Sequence, residues 1–254
     1  QFNYMIKNYL VFCFLLFYNF ISGISGFIFT YKPPVHKNNI LTFGPGGLTG
    51  FYTLGVTSYI KDNYDLTNYS YLGASAGSWN ALLLSCKKNN TEIINNLLSQ
   101  DIYYKSKSVS NLLHDLKIYV ENTYKTDDFE LNKLYVSVST FNFFSFKPRV
   151  IYNFTSLNDA TNGCYFSSYI PFITGKIKFF TFDNLIFDGG IGKFPPNHIN
   201  TYFDIYPSMW GRTFTSKDRF IYPNNDNYFK SLYYQGYYDS QLNKDKLDRV
   251  FVSL

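Results

Sequence analysis

The sequence predicts an α/β fold: a three-layer α/β/α sandwich built on a mostly parallel central sheet. Three stretches carry that prediction. Asn39–Phe43 is a short apolar strand that runs straight into a glycine-rich loop and then a helical pattern. Tyr69–Leu72 is a second strand, which turns tightly into an apolar helix reaching Leu84. Phe187-Asp188-Gly189-Gly190 closes a third apolar strand by delivering an acid into a glycine turn. Strands alternating with helices favour parallel pairing, and they gather the turns that follow the strands at the sheet's C-terminal edge. At 254 residues the chain suits one sizeable domain with an ample core, assigned to 39–254.

Ahead of that domain, Lys7 and Lys32 bracket a span without charge. Tyr9–Ile21 is almost wholly apolar, and small residues follow at Ser22, Gly23, Ser25 and Gly26. A basic residue, an apolar core and then small residues resemble a secretory signal, and the uncharged span is also long enough to cross a bilayer. Residues 1–30 are therefore read as a signal or anchor segment, which puts the protein at a membrane or on the secretory route. Sequons at Asn68, Asn89 and Asn153 agree with that route. Tyr31-Lys32-Pro33-Pro34 is a proline-marked linker.

Within the domain, Phe51–Asn63 places Phe51, Leu54, Val56, Tyr59 and Ile60 at helical spacing. Asn90–Gln100 and Val109–Tyr124 also read as helices, the second with Leu112, Leu113, Leu116, Tyr119 and Val120 on one face. His114 falls in that helix and reads as a surface histidine. Lys133–Thr140 alternates through Leu134, Val136 and Val138 and reads as a strand, with Arg149–Phe154 as another. Ser156–Pro171 is predicted to be a helix ending in a turn, and Ile177–Phe182 with Asn184–Phe187 a hairpin. Ile199–Ser208 holds a last strand, and Asn227–Tyr238 a closing helix.

Composition narrows the function classes. The 25 tyrosines and 27 phenylalanines come with abundant asparagine, so the aromatic content reflects a general bias rather than base-stacking platforms. The net charge of +5 is spread without a basic run, which argues against a nucleic-acid partner and slightly favours an anionic membrane surface. Cys13, Cys86 and Cys164 are far apart, with no Cys-x-x-Cys and no histidine cluster, so neither a metal site nor a disulfide framework is expected, and no cofactor is implied.

The chemistry centres on Gly73-Ala74-Ser75-Ala76-Gly77. As a bare pattern Gly-x-Ser-x-Gly is weak, but here a strand precedes it, a helix follows it, and both intervening residues are small. A serine in such a turn is exposed in a strained pose, next to a helix N-terminus that favours developing negative charge. Gly44-Pro45-Gly46-Gly47-Leu48-Thr49-Gly50 lies one strand–helix unit earlier and offers main-chain N–H groups to an anion. It lacks the lysine and hydroxyl residue of a nucleotide-binding loop and the full dinucleotide fingerprint, which leaves the oxyanion of an attacked ester as the candidate anion. Asp-Gly alone is a common turn dipeptide, so Asp188 gains weight only in company.

Together and in this order, the glycine-rich loop, Gly-x-Ser-x-Gly and Asp-Gly-Gly resemble the signatures of the patatin-like phospholipase family. Ser167-Ser168-Tyr169-Ile170-Pro171 is a weaker match to the turn ahead of that family's aspartate, and Gly236-Tyr237-Tyr238-Asp239 to its closing helix. The resemblance covers about Asn39–Pro196. It implies a lipid acyl hydrolase of phospholipase A type, acting on membrane phospholipid or another acyl lipid at a membrane surface. By that resemblance Ser75 is the nucleophile, Asp188 its base, and Gly46 and Gly47 the oxyanion hole, with neither metal nor cofactor. Pro45 stands where the family's first glycine is usual and removes one N–H donor. Thr49 stands where arginine or lysine is usual.

Two other readings remain open at this stage. An α/β-hydrolase triad would need a histidine after the acid, and His198 is the one that follows Asp188, only ten residues on. Alternatively the scaffold is a weakly active or inactive membrane-associated lipid-binding protein, a reading motivated by Pro45 and Thr49.

Overall fold

The computed structural model describes residues 39–99, 105–142, 145–175, 181–182, 184–225 and 227–254. The expected signal or anchor segment at 1–30, Cys13, and residues 177–180 of the predicted hairpin lie outside them. Among the described residues no helix is long and apolar enough to cross a membrane.

Four parallel strands form the centre of the sheet, in the order β3 (Leu134–Asn142), β2 (Tyr69–Ala74), β1 (Asn39–Phe43) and β7 (Phe203–Ile205). Two antiparallel strands pair with β3, namely β4 (Ser145–Ile151) and β6 (Asn184–Phe187), and β5 (Thr181–Phe182) pairs antiparallel with β6. The helices are α1 (Gly50–Asn63), α2 (Ala76–Leu84), α3 (Asn90–Leu98), α4 (Val109–Thr123), α5 (Leu157–Ser167), α6 (Ser216–Phe220), α7 (Tyr228–Leu242) and α8 (Lys244–Leu247). The fold is therefore mixed α/β with a mostly parallel central sheet, compatible with the predicted sandwich.

The pleat separates two faces. Leu41, Phe43, Tyr69, Tyr71, Leu134, Val136 and Val138 point into the larger core cluster, where the buried side chains of α1, α2, α3, α4, α5 and α7 also gather. Ile40 and Leu72 point the other way, into a smaller cluster with Val150 and Ile199, against which Tyr135, Tyr152 and Phe194 pack. Among the described residues that second cluster contains no helical side chain.

Local chemistry explains where the helices begin. The side chains of Asn89, Ser108, Ser156 and Thr215 each accept the N–H three residues on, which satisfies an end that has no intrahelical partner. Helix α7 lies on α1 at a reciprocal glycine crossing. A Cβ on Gly55 would sit 2.0 Å from the Tyr233 carbonyl oxygen, and one on Gly236 2.0 Å from that of Tyr52. The crossing is fastened where the Tyr52 hydroxyl donates to Asp239 at 2.8 Å and Arg212 donates two further hydrogen bonds to the same carboxylate.

Two predicted boundaries move. The strand expected at Arg149–Phe154 is Ser145–Ile151, because the chain pairs with β3 from Ser145 onward. Pro148 is tolerated there because, among the described residues, β4 pairs with β3 alone, so its missing donor breaks no second ladder. Within the helix-and-turn expected at Ser156–Pro171, the helix ends at Ser167, and Ser168 and Tyr169 bond back to its last turn. The last strand contracts to three residues beside β1.

One feature of the register positions the site. Val136 and Ser137 of β3 pair with β2 on one side and β4 on the other. Ser139, Thr140 and Phe141 pair with β6 and, again, with β4. Strands β2 and β6 must therefore share one edge of β3 and approach each other end to end. Ala74 lies opposite Ser137 and Phe187 opposite Ser139. The next residue of each strand, Ser75 and Asp188, meets the other at the level of Val138.

Candidate active site

Ser75 leaves β2 at φ 54 and ψ −128, a left-handed conformation that a residue with a Cβ avoids. Holding it there costs on the order of 1–3 kcal/mol, which the surrounding bonds must supply. They clamp the main chain on both sides. The Ser75 N–H donates to the Ser167 hydroxyl at 2.8 Å, and that hydroxyl donates on to the Ser137 carbonyl at 2.6 Å. The Ser75 carbonyl accepts from the Ser78 N–H and hydroxyl, at 2.9 and 2.6 Å. The motif glycines permit the turn to close. A Cβ on Gly73 would lie 2.4 Å from the Gly77 carbonyl oxygen, and one on Gly77 2.0 Å from that of Phe43.

Asp188 is anchored by the same segment. Its N–H donates to the Tyr169 carbonyl at 2.8 Å, and the Gly189 N–H to the Ser167 carbonyl at 2.9 Å. Ser167 therefore holds the serine turn through its side chain and the aspartate turn through its main chain. Asp188 Oδ1 accepts the Gly190 N–H at 2.7 Å, while Oδ2 is buried without a hydrogen-bond partner of good geometry. Burial pushes the Asp188 carboxyl up from 3.8 to about 6, opposed by the Ser75 side chain and the Gly190 N–H, both of which favour the ionised form. The Ser75 hydroxyl thus acts on the Asp188 carboxylate from nearby, without a hydrogen bond of good geometry to Oδ2.

The glycine-rich loop leans on both turns. A Cβ on Gly50 would lie 2.6 Å from that of Ala76, and one on Gly190 2.6 Å from Pro45 Cβ, so Pro45 packs against the aspartate turn. Thr49 is fully buried, and its hydroxyl donates to the Gly46 carbonyl at 2.7 Å, bracing the loop from within. Gly47 adopts φ 58. Among the described residues, the N–H groups of Gly46 and Gly47 donate no hydrogen bond.

Ser75, Ala76, Gly47 and Leu48 share a narrow cavity of about 70 Å³. Its other walls are chiefly apolar and come from α1, α2, α3, α4 and the 168–174 turn, with Phe220 of α6. Gly46 lies one residue behind this lining. A dry apolar cavity of about 150 Å³ holds a benzene, so a long acyl chain needs these walls to part.

His198 is exposed, and the groups that act on Asp188 are Ser75 and Gly190. His114 is an exposed residue of α4. Cys86 and Cys164 are buried thiols whose pKa burial raises, to about 12 for Cys164. Among the described residues no three His, Cys, Asp or Glu side chains gather as a metal site would require.

Sequence reasoning placed Ser75, Asp188 and the glycine loop in one neighbourhood, and they are there. It missed what Ser167 does, although the weak Ser-Ser-Tyr-Ile-Pro match pointed at the segment. It also missed the α4 wall, because apolar helix faces look alike whether they line a cavity or fill a core. No protein-family model matches the chain, and no curated protein matches it either.

Proposed function

We propose that this protein is a serine lipid acyl hydrolase of phospholipase A type, working through a Ser75–Asp188 dyad. The observation that carries the reading is the end-to-end approach of β2 and β6 on one edge of β3. It brings a strained serine, which lines a cavity with chiefly apolar walls, beside a buried carboxylate. This is also the arrangement that the resemblance to patatin-like phospholipases implies.

In this reading Asp188 takes the Ser75 proton as Oγ attacks the ester carbonyl. The carbon–oxygen bond to Ser75 forms, and the charge on the former carbonyl oxygen falls to main-chain donors. Gly47 and Ala76 border the cavity, and Gly46 stands behind them. Collapse breaks the bond to the leaving alcohol, which departs with the proton from Asp188. Water, deprotonated by Asp188, then attacks the acyl-enzyme, and its proton returns to Ser75 as the fatty acid leaves. A base near pH 6 suits this exchange, since it is ionised at neutral pH yet retains proton affinity. Pro45 supplies no N–H, and removing one such donor typically costs about a hundredfold or more in turnover, so slow turnover is expected.

The test is labelling by a fluorophosphonate, read together with hydrolysis of a soluble short-chain ester and of a phospholipid panel. Wild-type chain should label at Ser75 and cleave the ester. Ser75→Ala should do neither, Asp188→Asn should lose turnover, and His198→Ala should keep it. Folded wild-type chain that fails to label, where a control lipase reacts, leaves the lipid-binding reading instead.

A further inference from the structure

Two of the segments that line the Ser75 cavity also hold large apolar side chains in water. In the turn from Ile170 to Gly175, Ile170 and Thr174 face the cavity, while Phe172 is 77% exposed and Ile173 43%. At the end of α6, Phe220 lines the cavity and Ile221 beside it is 60% exposed. Ile191, three residues beyond Asp188, is exposed as well.

The first turn is built to project. The Ile170 N–H donates to the Thr174 hydroxyl at 2.7 Å, that hydroxyl donates to the Ser168 carbonyl at 2.8 Å, and the Phe172 N–H donates to the Gly175 carbonyl at 3.1 Å. Phe172 itself adopts φ 67. A bulky residue in the left-handed region is strained, and a phenyl ring in water is unfavourable. Both penalties fall on one side chain, at the margin of the cavity.

Cations flank these positions. Lys217 and Arg219 belong to α6, and Lys193 follows Ile191 by two residues. Among the described residues none of the three forms an ion pair. The acid between them, Asp218, is turned back to accept the Thr215 N–H and hydroxyl, both at 2.7 Å. The core of a protein interface is depleted of charge. Separate apolar projections fringed by lysine and arginine instead match what an interfacial anchor on anionic lipid needs.

We propose that the 170–175 turn and the end of α6 form a membrane-docking face, with Phe172 and Ile221 entering the headgroup–acyl boundary of a bilayer that contains anionic phospholipid. The face gives the Ser75 cavity direct access to lipid esters, and in that purpose it rests on the hydrolase reading. Insertion itself does not require Ser75 to react.

The experiment uses the full chain carrying Ser75→Ala, with Phe172→Trp added, and vesicles of brominated phosphatidylcholine with or without phosphatidylserine. Tyr234→Trp in the same background is the control, since Tyr234 is 61% exposed on α7 and lines no part of the cavity. Tryptophan at 172 should shift to shorter wavelength and be quenched several-fold more than tryptophan at 234, and more so with phosphatidylserine present. Once the signal of the native Trp79 and Trp210, measured in the Ser75→Ala parent, is subtracted, the readout is local, so an N-terminal segment that holds the chain on vesicles does not mimic it. A residue 172 that stays unquenched on bound chain, or a chain that does not bind vesicles, overturns the proposal. Ester hydrolysis by the chain with Ser75 intact is scored separately. Its absence beside a quenched residue 172 removes the hydrolase reading and leaves the docking face, and the converse removes only the face.

Discussion

Asp188→Asn should make the folded protein more stable at pH 8 while abolishing its turnover. The carboxyl is 3% exposed, and burial raises it from 3.8 to about 6. A group whose folded pKa is raised binds its proton more tightly in the native chain than in the unfolded one. Stability therefore falls as pH rises from the unfolded value towards the folded one, and the penalty is complete above about pH 6. Two pH units correspond to about 3 kcal/mol. Asparagine has no charge to desolvate, and its carbonyl can still accept the Gly190 N–H. Imperfect accommodation of the new amide gives back part of the gain, leaving about 1–2 kcal/mol, or about 2–8 °C in Tm for a chain of this size. Thermal melts of both proteins at pH 4 and pH 8 measure the effect. The advantage of the variant should be small at pH 4 and full at pH 8, and kcat/KM of the wild type on a soluble ester should drop about tenfold per unit below pH 6. A variant that is less stable at pH 8, or equally shifted at both pH values, would refute the picture of Asp188 as a carboxylate desolvated in the native fold.

Ser167→Ala removes the acceptor of the Ser75 N–H and the donor to the Ser137 carbonyl, and should cost about 1–3 kcal/mol in chemical denaturation. If Ser167 positions the nucleophile, fluorophosphonate labelling should slow tenfold or more in chain that remains folded. Ser167→Thr, which keeps the hydroxyl, should recover much of the rate. Gly47→Ala forces a Cβ to 2.4 Å from the Arg219 carbonyl at φ 58, so a loss of about 1–3 kcal/mol is expected from the strained backbone, together with slower labelling. Unchanged melting of Gly47→Ala would mean that the loop does not press on α6.

Much of the fold could be read locally because the signals are local. Alternation of apolar and polar residues marks β3, serine and asparagine caps mark helix starts, and glycine marks turns where a side chain does not fit. Thr49 illustrates the limit. In the sequence it is a departure from a family pattern; in the fold it is a buried hydroxyl bracing the Gly46 carbonyl. Pro148 illustrates it too, since whether a proline breaks a strand depends on whether a second strand needs its N–H.

By itself the sequence determined the strand–turn–helix around Ser75, the acid in a glycine turn at Asp188 and the alternation that builds a mostly parallel sheet. Each follows from backbone sterics and hydrogen-bonding needs within a few residues. Only the tertiary structure decided that β2 and β6 share an edge of β3, that Ser167 ties both turns together, and which aromatic side chains stand in water. Those outcomes depend on pairings between residues tens of positions apart, 92 for Ser75 and Ser167. They are settled by which arrangement buries the most apolar surface while leaving the fewest polar groups unpaired.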